Sequence, residues 1–283
     1  MDNTKDAQLQ KPLIVITPPT SLDFPNFREL WEYRDLLFFL TRRDIKVRFQ
    51  QTFIGFLWIV LQPIIQMLIF YLILGVLVKV PTEGIPYPIF FLSGFVVWQL
   101  FSQVINSSAY SLLGNIAVIS KSYFPRLALP LSSTISSVID FFISFALLMV
   151  FLIANHFPIS ARYLILPLLV VITTLFSSGV GLLFGALMVV FRDTKNLLNF
   201  IMLIWMYLTP IMFPISIVPK EYQILFYLNP LTSLVEAYRW VFLGAETLPP
   251  FTYLLVSFVV ASIIWFAGAI AFRSMENKIA DVM

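Results

Sequence analysis

The sequence contains no cysteine. That removes disulfide frameworks, thiol nucleophiles and thiolate metal sites together. Its one histidine, His156, leaves no His pair for a metal and no base for a serine nucleophile in a predicted pocket. No Gly-Lys dipeptide occurs, so no Walker A loop can cradle the phosphates of a nucleotide. Charge is scarce: Asp, Glu, Lys and Arg make up 12% of 283 residues, where soluble domains carry roughly 25%. A chain that is 59% hydrophobic would need more interior than a soluble fold of this length encloses. The net charge of +3 is modest, and no nucleic-acid partner is expected.

Long apolar runs take the place of these missing features. They lie at 53–78, 87–110, 130–154, 163–190, 197–213 and 251–272. Each reaches across about 30 Å of hydrocarbon at about 1.5 Å per residue, the fifth only barely. The runs are continuous rather than alternating, which argues against a membrane barrel. The expected fold is an all-α membrane protein with six transmembrane helices. Residues 1–26 read as an extended, proline-punctuated cytoplasmic tail without the apolar core of a secretory signal. Residues 27–51 read as an amphipathic interface helix, 52–272 as the membrane domain and 273–283 as a second cytoplasmic tail.

Six spans put both ends on one side. That side holds Lys5, Lys11, Arg28, Arg34, Arg42, Arg43, Lys46, Arg48, Lys121, Arg126, Arg192, Lys195, Arg273 and Lys278. The other holds Lys79, Arg162, Lys220 and Arg239, completing the 18 Lys and Arg of the chain. Cationic loops stay in the cytoplasm, so the termini, loop 111–129 and loop 191–196 are expected there.

Three connecting pieces carry structure of their own. In 27–51, Leu30, Trp31, Leu37, Phe38 and Ile45 fall at helical spacing ahead of a basic end. The segment reads as a juxtamembrane anchor or as a docking rim for a cytoplasmic partner. In loop 111–129, Asn115 to Tyr123 fits a short amphipathic helix ended by Pro125; a plain loop is the alternative. In 214–250, Asn229–Pro230 reads as a helix start and Gly244 as its stop. Glu236 and Arg239 then share a face and can pair. This half-length helix is either a re-entrant hairpin dipping in from outside or a helix resting on the outer leaflet.

The spans carry polar stripes. Gly55, Trp58, Gln62 and Gln66 share one face of the first, and Gln99, Gln103, Asn106 and Tyr110 one face of the second. Amides there either pair across helices or line a wet route for a hydroxyl-rich substrate. Ser133, Ser137, Asp140 and Ser144 form a seam in the third span. Asp140 is the one carboxylate within the predicted spans, a functional candidate or a residue satisfied by neighbouring serines. Thr173, Ser177, Gly181 and Gly185 form a small-residue ridge suited to close helix packing.

The run RELWEYRDLLFFLTRRDIKVRFQQTFIGFLWIVLQP at 28–63 resembles the entrance to the transmembrane subunit of polysaccharide ABC exporters. SKSYFPR at 120–126, FRDTKN at 191–196 and NPLTSLVEAYRWVFLG at 229–244 are similar to that family in the same order. The branch exports lipid-linked O-antigen, capsule and teichoic acid across the bacterial inner membrane. The resemblance implies a homodimer of six-span permeases joined to two copies of an ATPase subunit. No cofactor is then bound by this chain, and ATP and Mg belong to the partner. The glycan would pass at the dimer interface, with Trp58, Gln62, Gln66, Gln99, Gln103, Asn106 and Tyr110 as candidate lining. Arg42 and Arg43, with Asn115, Ser120, Lys121 and Arg126 of the coupling helix, would meet the ATPases. Glu236 and Arg239 would belong to an outer re-entrant pair near the exit. PLIVITPPTSLDFP at 12–25 looks more like the O-antigen group than the teichoic acid group. Two other readings remain at this point: a drug or lipid exporter of the same architecture, and a lipid-linked glycosyltransferase.

Overall fold

The computed structural model describes residues 27–49, 57–115, 119, 124–191, 193–244 and 251–275. Gly55, Ser120, Lys121, Arg192 and the 12–25 segment lie outside the described residues, as does most of the expected coupling helix. Among the described residues every regular element is helical. They are α1 (Phe27–Glu32), α2 (Arg34–Phe49), α3 (Leu57–Phe70, continued as π-helix over Tyr71–Leu77), α4 (Tyr87–Tyr110), α5 (Ala128–Ala154), α6 (Leu166–Val190), α7 (Thr194–Tyr207), α8 (Lys220–Tyr227), α9 (Pro230–Leu243) and α10 (Phe251–Ser274).

Five of these are long and apolar enough to cross a membrane: 57–77, 87–110, 128–154, 161–190 and 252–274. The expected span at 197–213 takes a different form. α7 has 14 residues and rises about 21 Å, short of the roughly 30 Å of hydrocarbon. Beyond it the apolar run continues to 213 without regular α-helix. Lys195 Nζ lies 6.0 Å from the ring centre of Tyr110, at one end of α4. At the other end Tyr87 Oη donates to the Met212 carbonyl at 3.0 Å. Residues 195–212 therefore run beside the whole length of α4, helical first and irregular after Tyr207. Pro210 explains the break: it supplies no N–H and disfavours helical backbone at Thr209. Thr209 Oγ1 instead donates back to the Trp205 carbonyl at 2.9 Å.

α4 is the axis of the bundle, and residues 89–101 are buried without interruption. α5 packs antiparallel to it through Ser107–Ser137 and Ser108–Thr134 hydroxyl pairs, both 2.9 Å. α6 packs parallel to it on the small-residue ridge. A Cβ at Gly181 would stand 2.6 Å from Ser108 Cβ and 2.9 Å from the Ile105 carbonyl oxygen, so only glycine allows this approach. Gly179 and Gly268 make the same kind of contact between α6 and α10.

At the Tyr110 end a second hydrophobic cluster joins Leu30 and Leu40 to Phe124, Leu127 and the ends of α5, α6 and α10. The amphipathic segment differs from its sequence reading here. Its helix is interrupted at Tyr33. Leu30, Leu40 and Thr41 are buried, while Trp31 and Phe38 stand out, each 71% exposed. One face thus grips the bundle and the aromatic face is left free.

Candidate functional site

The candidate residues fall into three sets: the amide stripe, the 229–244 helix and the α2–α5 junction. The stripe comes from α3 and α4. Phe70 and Phe91 stack with ring centres 5.1 Å apart. The two helices are antiparallel and rise equally per residue, so this contact sets their register. Gln62 then lies level with Gln99, Trp58 with Gln103 and Gln66 with Phe95. α3 buries Ile59, Pro63 and Met67. Gln62 and Gln66 sit beside that buried row, half-buried, and Trp58 is 52% exposed. On α4, Gln99 is buried, while Gln103, Asn106 and Tyr110 are half-buried.

The hydrogen bonding of the stripe is uneven. Asn106 Nδ2 donates to the Ser102 carbonyl on its own helix at 2.8 Å. Gln99 Oε1 is buried and accepts no hydrogen bond, a condition that costs about 1–3 kcal/mol. Tyr110 lies under the Lys195 ammonium. The stripe is a column of amide and aromatic groups running from the middle of α4 to its Tyr110 end. Such a column offers donors, acceptors and ring faces, the contacts that hydroxyl-rich molecules use. No group of three His, Asp or Glu able to hold a metal occurs among the described residues.

The helix start at Asn229 forms as its sequence dictates. Asn229 Oδ1 accepts from the Leu231 amide at 3.1 Å, Pro230 opens α9, and Gly244 ends it in left-handed backbone at φ +70°. α9 is buried on nearly every side, which a helix resting on a leaflet surface would not be. Arg239 is 3% exposed. Its Nη1 donates to Glu236 Oε1 at 2.9 Å and its Nη2 to the Ile211 carbonyl at 2.8 Å. The guanidinium also lies 3.8 Å from the ring centre of Phe90. Gly94 makes room for it: a Cβ there would stand 2.9 Å from Nη2. The pair at 236 and 239 was legible. The roles of Ile211, Phe90 and Gly94 were not, because backbone carbonyls and ring faces leave no residue-type signature; the glycine amid an aromatic run was the one available hint.

The third set lies at the Tyr110 end. Arg43 is half-buried and bonds Asp44 Oδ1 at 2.7 Å, and Ser133 Oγ donates to Asp44 Oδ2 at 3.3 Å. Thr41 Oγ1 donates to the Leu37 carbonyl at 2.8 Å. Asp44, which carried no sequence signal beyond its charge, therefore ties α2 to the start of α5. Arg42 is exposed. Asn115 ends a single 3₁₀ turn at 113–115 and donates to the Ser111 carbonyl at 2.8 Å. Arg126 is half-buried in the turn before α5. The expected ATPase-facing residues thus share one end of the bundle, where those described can be seen.

Of the other stripes, Ser133, Ser137, Asp140 and Ser144 are all buried in α5. Thr173, Ser177, Gly181 and Gly185 are buried in α6.

The sequence profile of the ABC-2 type transporter family matches residues 35–243. The chain is 27% identical over 250 residues to the O-antigen export system permease protein RfbA of Klebsiella pneumoniae, covering 88% of this chain and 95% of that protein. It is 28% identical over 257 residues to the protein of that name from Myxococcus xanthus, covering 90% and 97%. It is 26% identical over 199 residues to the polysialic acid transport protein KpsM of Escherichia coli, covering 70% and 77%.

Proposed function

The chain belongs to the ABC-2 type transporter family, and on that premise we propose that it is the permease subunit of an ATP-driven exporter of a lipid-linked polysaccharide, O-antigen first among them. The carrying observation is the near full-length match to proteins named as O-antigen export permeases, over 88–90% of this chain. The match to the polysialic acid transport protein is shorter, at 70%, which makes capsule export the second reading.

The protein is a multi-pass transport component without an enzymatic step of its own. Two copies form the permease, and two copies of a separate ATPase subunit, with ATP and Mg, drive it. The Tyr110 end faces the cytoplasm of the inner membrane, with both termini. The Lys and Arg content of α1, α2, Arg126, Lys195 and Arg273 supports this orientation. The α2–α5 tie through Asp44 and the shared hydrophobic cluster supports a mechanical route from the ATPases into the spans. α9 is then a re-entrant helix near the exit, and the irregular backbone packed against it at 209–214 is sheltered by protein as hydrocarbon demands. The amide column along α3 and α4 faces the glycan.

The test uses cells that lack this chain but retain the rest of the export system. Restoring the chain returns surface glycan, and the tagged chain copurifies with an ATPase subunit. Restored sugar transfer without any ATPase would overturn the proposal in favour of an enzyme. Export of a hydrophobic drug with surface glycan unaffected would overturn it in favour of a drug pump.

A further inference from the structure

A cavity of about 650 Å³ lies on the far side of α7 from the amide column. It is walled by α7, the α8–α9 hairpin and α10, with Phe176 of α6 at its floor. Its size falls within the roughly 300–1,000 Å³ of ligand pockets. Its depth in the bundle can be fixed. Trp205 on its wall meets Phe101, near the middle of α4, edge-on at 5.0 Å. Asn229 on its rim connects through Thr209 to the segment beside Tyr87. The cavity therefore reaches from mid-bundle toward the Tyr87 end, at the depth of membrane hydrocarbon. It is open where α7 faces the α8–α9 hairpin: of its lining residues, Ile204, Leu208, Leu225 and Leu228 are exposed.

The polar atoms of the wall are already engaged. Trp205 Nε1 donates to Asn229 Oδ1 at 3.1 Å. The same oxygen accepts from the Leu231 amide, and Nδ2 donates to Thr209 Oγ1 at 3.0 Å. Both lone-pair positions of that oxygen are used, and so is the indole donor. The remaining lining residues are Ile, Leu, Val, Phe and Pro. A sugar, a phosphate or a chain of waters would find almost nothing to bond, and apolar cavities stay dry. A space at this depth with a mouth toward the bilayer has one abundant occupant that asks for no hydrogen bond.

We infer that the cavity is a binding site for one hydrocarbon chain of a bilayer lipid, wedged between α7, the α8–α9 hairpin and α10. The chain completes a wall that protein alone leaves open, and it braces the hairpin whose other side is clamped by Arg239. The site is separate from the amide column and requires only that the protein spans a membrane, so its failure would leave the export reading standing.

The experiment reconstitutes the full protein in phosphatidylcholine vesicles doped with a phosphatidylcholine carrying a photoreactive diazirine midway along one acyl chain. After illumination, adducts are mapped by mass spectrometry. Val260 and Ile264 line the cavity, whereas their neighbours Val259 and Ile263 face outward at 46% and 62% exposure and report the ordinary lipid annulus. Adducts are expected on both pairs. Val260→Trp projects an indole into the cavity beside Ile264 and is expected to cut labelling of Ile264 by about tenfold, the equivalent of two displaced methylenes, with Val259 and Ile263 unchanged. Ile204→Trp, at the mouth, provides the same test should Val260→Trp not fold. Labelling confined to Val259 and Ile263 would overturn the inference, as would labelling of Ile264 that is undiminished in the Val260→Trp variant. So would a benzophenone side chain at Leu208 that cross-links to a second copy of the chain instead of to lipid.

Discussion

α3 and α4 lie side by side, yet they face opposite solvents. In the most apolar stretch of α4, 83% of residues are buried inside the protein; in α3 the figure is 17%. The more buried helix is the less hydrophobic of the two by mean hydropathy. A soluble protein would show the reverse. In a bilayer, lipid tails are as apolar as leucine, so helix association is driven by close packing and by polar contacts rather than by hydrophobicity. α4 carries Ser108 and Ile105 against Gly181, one half of each hydroxyl pair, and Phe90 and Gly94 against the Arg239 guanidinium. α3 carries Leu68, Ile69, Leu72 and Val76 on an outward face, and its amides lie along the edge of its buried row.

If that contrast is right, substitutions of similar size should be ruinous around α4 and mild on α3. The largest effect is expected from Gly181→Leu. Its Cβ alone would stand 2.6 Å from Ser108 Cβ, with backbone of α4 close behind, so the two helices cannot yield locally. Overpacking costs about 1–3 kcal/mol in ordinary cores and more where backbone is struck. A chain that no longer yields monodisperse protein after extraction is the expected outcome. A normal melting profile would show that α4 and α6 are not in contact as described.

The arginine clamp ranks next, and it should respond asymmetrically. Glu236→Ala leaves Arg239 buried without its carboxylate, and stranding one partner of a buried pair costs about 3–5 kcal/mol. Arg239→Met should cost clearly less, because Glu236 is about one-fifth exposed and can hydrate once released. Chemical unfolding of the two variants measures the difference. Equal losses would mean that the clamp acts only through its salt bridge and not through burial on Phe90 and Ile211.

This contrast also explains what the residues disclosed in advance. Element positions were legible wherever an apolar run ended at a recognisable stop: 87–110 is reproduced as read, and Asn229, Pro230 and Gly244 bound α9 as their types require. Pairing of Glu236 with Arg239 followed from spacing alone. The shortness of α7 was harder to read, since Pro210 sits inside a run whose hydropathy continues past it. Burial was least legible. Trp31 and Phe38 share helical spacing with Leu30 and Leu37, but which face meets protein and which meets lipid is decided by neighbours far away in sequence. For the same reason the amide column could be drawn on each helix, while the level match of Gln62 with Gln99 needed the Phe70–Phe91 contact.

Trp58 separates function from folding. It is half-exposed on α3 and level with Gln103, so Trp58→Ala should change stability by less than about 1 kcal/mol, in the range of surface substitutions. If the amide column carries glycan, surface glycan should nevertheless fall several-fold, because aromatic ring faces are the stacking contacts a sugar chain would lose. Export at the wild-type level with stability unchanged would remove Trp58 from the route.

The smallest perturbation probes what covers α3. The chain has no cysteine of its own, so a single Leu72→Cys introduces one unambiguous thiol on the bare face, at a residue 58% exposed. Little change in folding is expected, since the side chain meets few protein atoms. On mild oxidation in membranes, a homodimer joined along α3 should form a disulfide-linked pair at twice the mass. Leu92→Cys, fully buried in α4, should remain monomeric and is the control. The chemistry is demanding, because the two Cα atoms must come within about 7 Å of each other, so a positive result locates the seam closely. Failure of the cross-link at Leu72, and likewise at Leu68 and Val76 along the same face, would mean that lipid covers α3. The two copies would then have to meet through another outward apolar face, such as those of α5 and α10, whose most apolar stretches are only 33% and 28% buried.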